Sequence, residues 1–385
     1  MWYALAIPIV FSILAYYIWH KAFVWWELLV PTGVSAVAIL ISYYTIKNID
    51  MHDVEYNGYT IVEARYYEYW ETYVHKTCTK QVCTGSGKDE HCHTETYDCS
   101  YCDHNSPYWI AVDDHGNTYS ITETKYKELR IKWKSQPKFV ELNRSITHYF
   151  GCGQDGDMYS IQWDGKIETS ESAVVERSFD NIVKASHSAF KFPEITDEEA
   201  DSMRLYHYPQ FYDFYKQNAI LGLEQFPNIK YPRYLQTKFE YLNGHLGPIN
   251  KVKVFTLLFK NKPLSIASNQ EAYWDGGNQN ELVVCISLDD SLNIQWVKPF
   301  SWCDNKRILV DTREDIAIMK KFNGNKIYDI YCDHIKQFFH YKPFSDFNYL
   351  TFEPTRGQLW FVYILTMFVS GLCIWWTLKN EFEEH

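Results

Sequence analysis

The residues with the greatest chemical potential in this chain are cysteines and histidines crowded into one stretch, Cys78-x4-Cys83-x8-Cys92-His93-x5-Cys99-x2-Cys102-Asp103-His104. Five of the ten cysteines, together with His91, His93 and His104, fall within 27 residues. One chemistry this spacing suits is a structural zinc site. Two close pairs, Cys78/Cys83 and Cys99/Cys102, can turn four thiolates toward one tetrahedral ion, with Cys92, His93 and His104 as substitutes. Four protein ligands leave no open position, so such a site holds structure and does no catalysis. The second chemistry is a disulfide-stapled loop: the five cysteines plus Cys152 make an even six, which requires an oxidising compartment. The third is a set of unpaired thiols. Cys285 in an apolar strand and Cys332 on a helix fit as small core residues, and Cys373 lies inside a hydrophobic span.

Other candidate groups are sparser. Asp275, Asp289, Asp290 and Asp311 stand at expected strand ends, where ligands and hard metals bind but where turns also favour Asp for backbone reasons. His207, His245, His334 and His340 have no metal or triad spacing. The sequence contains no Gly-rich phosphate loop, no Gly-x-Ser-x-Gly elbow and no His-Glu-x-x-His. Asn143-Arg144-Ser145 is a formal glycosylation sequon. A net charge of −11 argues against a nucleic-acid partner.

The elements that must position these groups begin with three hydrophobic spans free of charged side chains: Trp2 to Trp19, Leu28 to Ile46 and Leu359 to Leu378. Each approaches the roughly 20 residues that cross a hydrocarbon core. Trp19, Trp25, Trp26, Tyr43, Tyr44, Trp360, Trp375 and Trp376 flank them as interfacial aromatics. The bilayer is therefore one expected partner, and a protein partner or a second copy of the chain is another. The first two spans, eight residues apart, predict a helical hairpin. Lys47 and Arg356, set against Lys21 and Lys379, tilt the positive-inside rule toward a cytoplasmic location for the part between the spans. With no ionisable residue at mid-span, the helices read as anchors rather than a transport path.

Between the spans, residues 47–192 read as a β-rich domain and residues 193–345 as an α/β domain, after a hairpin at 1–46 and before a C-terminal span at 359–378. Trp109-Ile110-Ala111-Val112 and Thr118-Tyr119-Ser120-Ile121 predict a β-hairpin around Asp113–Asn117. Tyr126, Leu129 and Trp133 mark one helix face. Thr196 with Glu199 forms a capping-box pattern, with a helical stretch expected beyond it. Val252–Phe259, Leu282–Leu288, Ile294–Phe300 and Arg307–Asp311 read as strands, and Ile327 to Phe338 as a closing helix. The fold class that follows is an α+β membrane protein.

The stretch Tyr273-Trp274-Asp275-Gly276-Gly277-Asn278-Gln279-Asn280-Glu281-Leu282-Val283-Val284 resembles the TPM-type domain, a membrane-tethered α/β sandwich, over about residues 250–340. The family's glycine before the strand is replaced here by Asn280-Glu281. The resemblance implies either assembly of membrane complexes or metal-dependent phosphatase chemistry, and no catalytic residue carries over from it. As a whole the chain is similar to membrane proteins of bacterial and phage genomes, which implies a bacterial inner or plasma membrane. The expected function is a non-catalytic, membrane-anchored binding or assembly protein. The rival expectation is a membrane-tethered, metal-dependent hydrolase.

Overall fold

A helix runs directly into the central strand of a sheet. In the computed structural model, α1 (Ala6–Ile18) is followed by α2 (Leu29–Met51), and β1 (His52–Tyr67) begins at the next residue with no loop between. The backbone N–H of Asn181 donates to the Met51 carbonyl at 2.6 Å and clamps this joint. The structure describes residues 2–19, 29–85, 91–142, 152–186, 192–213 and 215–379. Lys21, Trp25, Trp26 and the Asn143–Ser145 sequon lie outside the described residues.

The 16 residues of β1 organise the first unit. Beyond it come β2 (Trp70–Val74), β3 (Thr77–Thr84), β4 (His91–Asp98), β5 (Tyr101–Asn105), β6 (Tyr108–Asp113) and β7 (Thr118–Ile121). α3 (Glu123–Trp133), β8 (Lys138–Val140), β9 (Met158–Gln162) and β10 (Glu171–Asp180) complete it. The sheet order is β7-β6-β1-β9-β8, and β10 pairs antiparallel with the first half of β1. The expected hairpin is β6–β7. The expected helix face is the buried face of α3, where Tyr126, Leu129 and Trp133 pack on Ile61, Ala64, Ala111 and Ile161.

The second unit opens with α4 (Asp197–Met203), whose capping box joins Thr196 and Glu199 as the sequence predicts. Of the helical stretch expected beyond it, α4 supplies seven residues and ends where Arg204 adopts a left-handed conformation; α-helix resumes at Pro232. Between these points the chain passes through the short strands β11 (Phe211–Tyr212), β12 (Lys216–Gln217) and β13 (Ile220–Leu221). α5 (Pro232–Asn250), β14 (Lys253–Lys260), α6 (Ser265–Tyr273), β15 (Glu281–Leu288), β16 (Ile294–Phe300), α7 (Arg307–Ile318) and α8 (Gly324–Phe338) follow. The sheet β13-β14-β15-β16 has α5, α7 and α8 on one face and α4 and α6 on the other. Every residue of β15 is buried, which explains the apolar run at residues 282–286 within it. Arg307–Asp311 is not a strand. It opens α7, where Ile308, Thr312 and Ile316 recur at helical spacing and are the buried positions.

The two units dock through glycines where α5 crosses β1. A Cβ on Gly58 would lie 2.7 Å from the Asn243 carbonyl oxygen, and one on Gly244 would lie 2.8 Å from the Tyr59 carbonyl oxygen. Only a residue without a side chain permits that approach. Beside the crossing runs a buried polar seam. Gln279 Nε2 donates to Glu55 Oε2 at 2.7 Å, and Asn280 Nδ2 donates to the Tyr56 carbonyl at 3.0 Å.

The chain closes with α9 (Arg356–Lys379), antiparallel to α2. Gln358 Nε2 reaches Asp50 Oδ1 at 2.9 Å near one end of the pair, and Ser35 Oγ lies 3.0 Å from Ser370 Oγ further along. The expectation of three spans is corrected. Among the described residues, two helices, α2 and α9, are long and apolar enough to cross a membrane. α1 has 13 residues, which spans about 20 Å where the hydrocarbon core needs about 30 Å. It still packs along the pair, with Ala15 against Ile374 and, in the helical turn Trp2–Leu5 that precedes it, Ala4 against Ile39, Ile46 and Val362. The cluster is inverted relative to a water-soluble bundle. Small and hydroxyl residues such as Ala15, Ser35, Thr366 and Ser370 are buried, while Leu40, Ile41, Ile364 and Phe368 face outward.

Candidate functional site

The cysteine cluster forms a two-stage antiparallel ribbon that leaves the sheet after β1 and returns at β6. β2 pairs with β5, and β3 pairs with β4. Its register sets Cys83 directly opposite Cys92. Three disulfides result: Cys78–Cys99, Cys83–Cys92 and Cys102–Cys152. These are the same six cysteines that the disulfide reading groups together. A zinc set of Cys78, Cys83, Cys99 and Cys102 needs four free thiolates, and each of those sulfurs is bonded to another sulfur. Among the described residues no group of three or more His, Cys, Asp or Glu is arranged to hold a metal, so zinc has no support here. Of the substitute ligands, Cys92 is bonded to Cys83, His93 Nε2 meets Glu95 Oε1 at 3.1 Å, and His104 stacks on Tyr69. The side chain of His91 lies outside the described residues.

The four aspartates do not converge. Asp289 accepts backbone N–H bonds from Ser291 and Asn293 at 2.8 Å each, so it shapes the β15–β16 turn. Asp290 pairs with Lys260 at 2.8 Å. Asp311 lies on α7, not at a strand end, and accepts from Arg307 Nε at 2.9 Å. Asp275 follows α6 and opens into a cleft. Of the histidines, His334 is the most embedded, with Nδ1 3.0 Å from Thr312 Oγ1 and Nε2 3.0 Å from Asp315 Oδ2, tying α8 to α7.

That cleft, about 1000 Å³, lies where the two units meet the ends of α2 and α9. Its walls come from four distant stretches: Asp53 just past α2, Asn181–Ser186 after β10, Tyr273–Glu281, and Glu353–Arg356 leading into α9. Phe192, Trp302 and Phe344 add ring surface. The Trp302 ring stands at 88° to Phe192 and 86° to Phe344. Asp53 accepts from Asn181 Nδ2 at 2.6 Å and faces Lys184 Nζ at 3.7 Å. Burial in the cleft raises the Asp275 pKa; Lys184 opposes this, and Asp53 and Glu194 add to it. On the floor, Glu281 accepts from Tyr208 Oη at 2.5 Å and from the Asn278 backbone N–H at 2.9 Å, and burial raises its pKa. Its register partner on β14, Lys253, is 1% exposed, and burial pushes the ammonium pKa down to about 8 against the pull of Glu240 and Glu281. Tyr273, on the rim, donates to Asp197 Oδ1 at 2.7 Å, and burial together with that carboxylate pushes its pKa up to about 12.

Sequence reasoning singled out Asp275 here but not Glu281 or Lys253. Their signal is a charge abutting the first apolar residue of two buried strands, Lys253 before Val254 and Glu281 before Leu282. Comparison with protein-family models, with curated proteins and with solved structures finds no match to the chain.

Proposed function

We propose that the chain is a membrane-anchored, non-catalytic binding or assembly protein whose water-facing part lies on the oxidising side of the membrane. The observation that carries the reading is the pairing of the exposed ribbon's five cysteines with Cys152 in three disulfides. Disulfides of this kind persist outside the reducing cytosol. They speak for the outer face, against the tilt of the span-flanking charges toward the cytoplasm. Anchoring is supported by the inverted packing of α1, α2 and α9, since hydrocarbon accepts the outward Leu, Ile and Phe side chains that water would not. α1 then completes a three-helix anchor beside the two long spans. The ribbon, stapled and solvent-facing, is the surface offered to a protein partner or a second copy.

The test is thiol labelling with a membrane-impermeant maleimide mass tag, before and after reduction, together with elemental analysis of the purified full chain. The expected result is six sulfurs that react only after reduction, no zinc, and ribbon labelling from outside intact cells. Zinc near one per chain with all thiols reactive would overturn it. One observation favours a second reading, a tethered hydrolase: Asp275 opens into the cleft beside Asp53 and Glu194. Metal-dependent turnover of a phosphoester that is lost in Asp275→Ala would establish that reading instead.

A further inference from the structure

The position of the cleft names its ligand more closely, on the reading just given that α2 and α9 cross a bilayer. Arg356 is the first residue of α9 and lines the cleft mouth. Trp360, 65% exposed, follows four residues later, about 6 Å along the helix axis. An outward tryptophan at a span end sits at the headgroup level. The headgroup layer is about 5–8 Å thick on each side of the hydrocarbon. The mouth of the cleft therefore opens within the layer of lipid headgroups, and a lipid is the molecule present there at the highest concentration.

The lining specifies which headgroup. Among the described lining residues carboxylates outnumber cations, with Asp53, Glu194, Asp275 and Glu281 against Lys184 and Arg356. Lys184 is already engaged by Asp53. Arg356 is exposed and makes no hydrogen bond or ion pair among the described residues. A headgroup with only a phosphate would meet this excess of negative charge and be repelled. A phosphate that carries its own cation would not. The Trp302 ring stands near-perpendicular to both Phe192 and Phe344, and its Nε1 donates to the backbone carbonyl of Asp275, so aromatic surface adjoins the residue that brings its carboxyl to the cleft. That is the surface an ammonium group selects.

We propose that the cleft binds the headgroup of a zwitterionic phospholipid, with Arg356 on the phosphate and the ammonium against Trp302 and Asp275. The phosphate of a lipid lies nearer the hydrocarbon than its ammonium does, and Arg356 is the lining cation that opens the apolar helix α9.

The test uses the full chain purified in detergent, with native mass spectrometry of lipid retained from equimolar phosphatidylcholine, phosphatidylethanolamine and phosphatidylglycerol. The expected result is at least tenfold preference for the two zwitterionic lipids over phosphatidylglycerol. Asp275→Asn and Trp302→Ala are each expected to reduce that preference about tenfold. Equal retention of all three lipids by the unaltered chain overturns the proposal without reliance on any variant. Unchanged preference in both variants also overturns it. Millimolar glycerophosphocholine is expected to displace the retained lipid weakly; binding of that soluble headgroup with no lipid retained overturns the lipid source. Carbonate extraction separates the two levels of argument. A chain released by carbonate sinks the membrane reading itself, whereas an embedded chain without lipid preference sinks only the headgroup assignment.

Discussion

At the scale of single residues, Glu171 is the most heavily committed charge. Its carboxylate is 5% exposed and is met by Lys125 Nζ at 2.7 Å, Lys132 Nζ at 2.5 Å and Lys216 Nζ at 2.6 Å. Burial alone would raise its pKa; the three lysines overcome that and pull it down to about 2. A carboxylate with a depressed folded-state pKa stabilises the fold above its unfolded value and loses that contribution as pH falls through the folded one. Acid titration is therefore expected to remove on the order of 3 kcal/mol between about pH 4.5 and pH 2. Glu171→Gln leaves three ammonium groups around a neutral amide and is expected to cost about 3–5 kcal/mol at neutral pH. Thermal melts of the two proteins at pH 7 and pH 3 check both: the gap between them should narrow at the lower pH. A gap that stays constant would mean that the lysines are held by other groups.

At the scale of elements, local pattern was a good guide wherever one face or one cap decided the outcome. The β6–β7 hairpin, the Tyr126/Leu129/Trp133 face of α3, the α4 capping box and the buried strands β14 and β15 all follow from residues within a few positions of one another. Arg307–Asp311 misleads because its three branched apolar residues, Ile308, Leu309 and Val310, suit either state. The helical period appears only once Thr312 and Ile316 are included. The length of α1 was hidden for a different reason, because hydropathy does not register where a helix stops. The cleft was illegible because its walls are more than 300 residues apart in sequence at the extremes, Asp53 and Arg356. Cysteine spacing grouped the right six residues without giving their connectivity; the β3–β4 register accounts for Cys83–Cys92, and the other two pairs depend on how the ribbon is placed. The ribbon yields a graded prediction. Cys102–Cys152 closes a separation of 50 residues and Cys83–Cys92 one of 9. On chain entropy, replacing the longer pair with serines is expected to cost about 1–2 kcal/mol more than replacing the shorter. Urea melts of the two double variants measure the difference, and a larger loss from the Cys83/Cys92 variant would count against the entropic account.

At the scale of the molecule, two units and an apolar helix cluster share one set of joints. α5 meets β1 at Gly58 and Gly244, and a Cβ on Gly244 would also stand 2.6 Å from Thr60 Oγ1. Gly244→Ala is expected to cost about 1–3 kcal/mol by pushing the units apart. The check is limited proteolysis, with faster cleavage in the 192–196 segment leading into α4 of the variant than in the unaltered chain. Equal rates would show that the polar seam of Glu55, Gln279 and Asn280 holds the units together without close backbone contact. The joint between α2 and β1 has a mechanical meaning of its own. With Met51 helical, His52 already in the strand and Asn181 bonded to the Met51 carbonyl, α2 passes into β1 with no intervening loop. β1 then acts as a lever arm of about 50 Å, with the stapled ribbon at its far end. A tilt of α2 by about 5° moves the base of the ribbon by roughly 4 Å. On the proposal that α2 crosses a bilayer, whose thickness sets helix tilt, a change of thickness becomes a displacement of the ribbon.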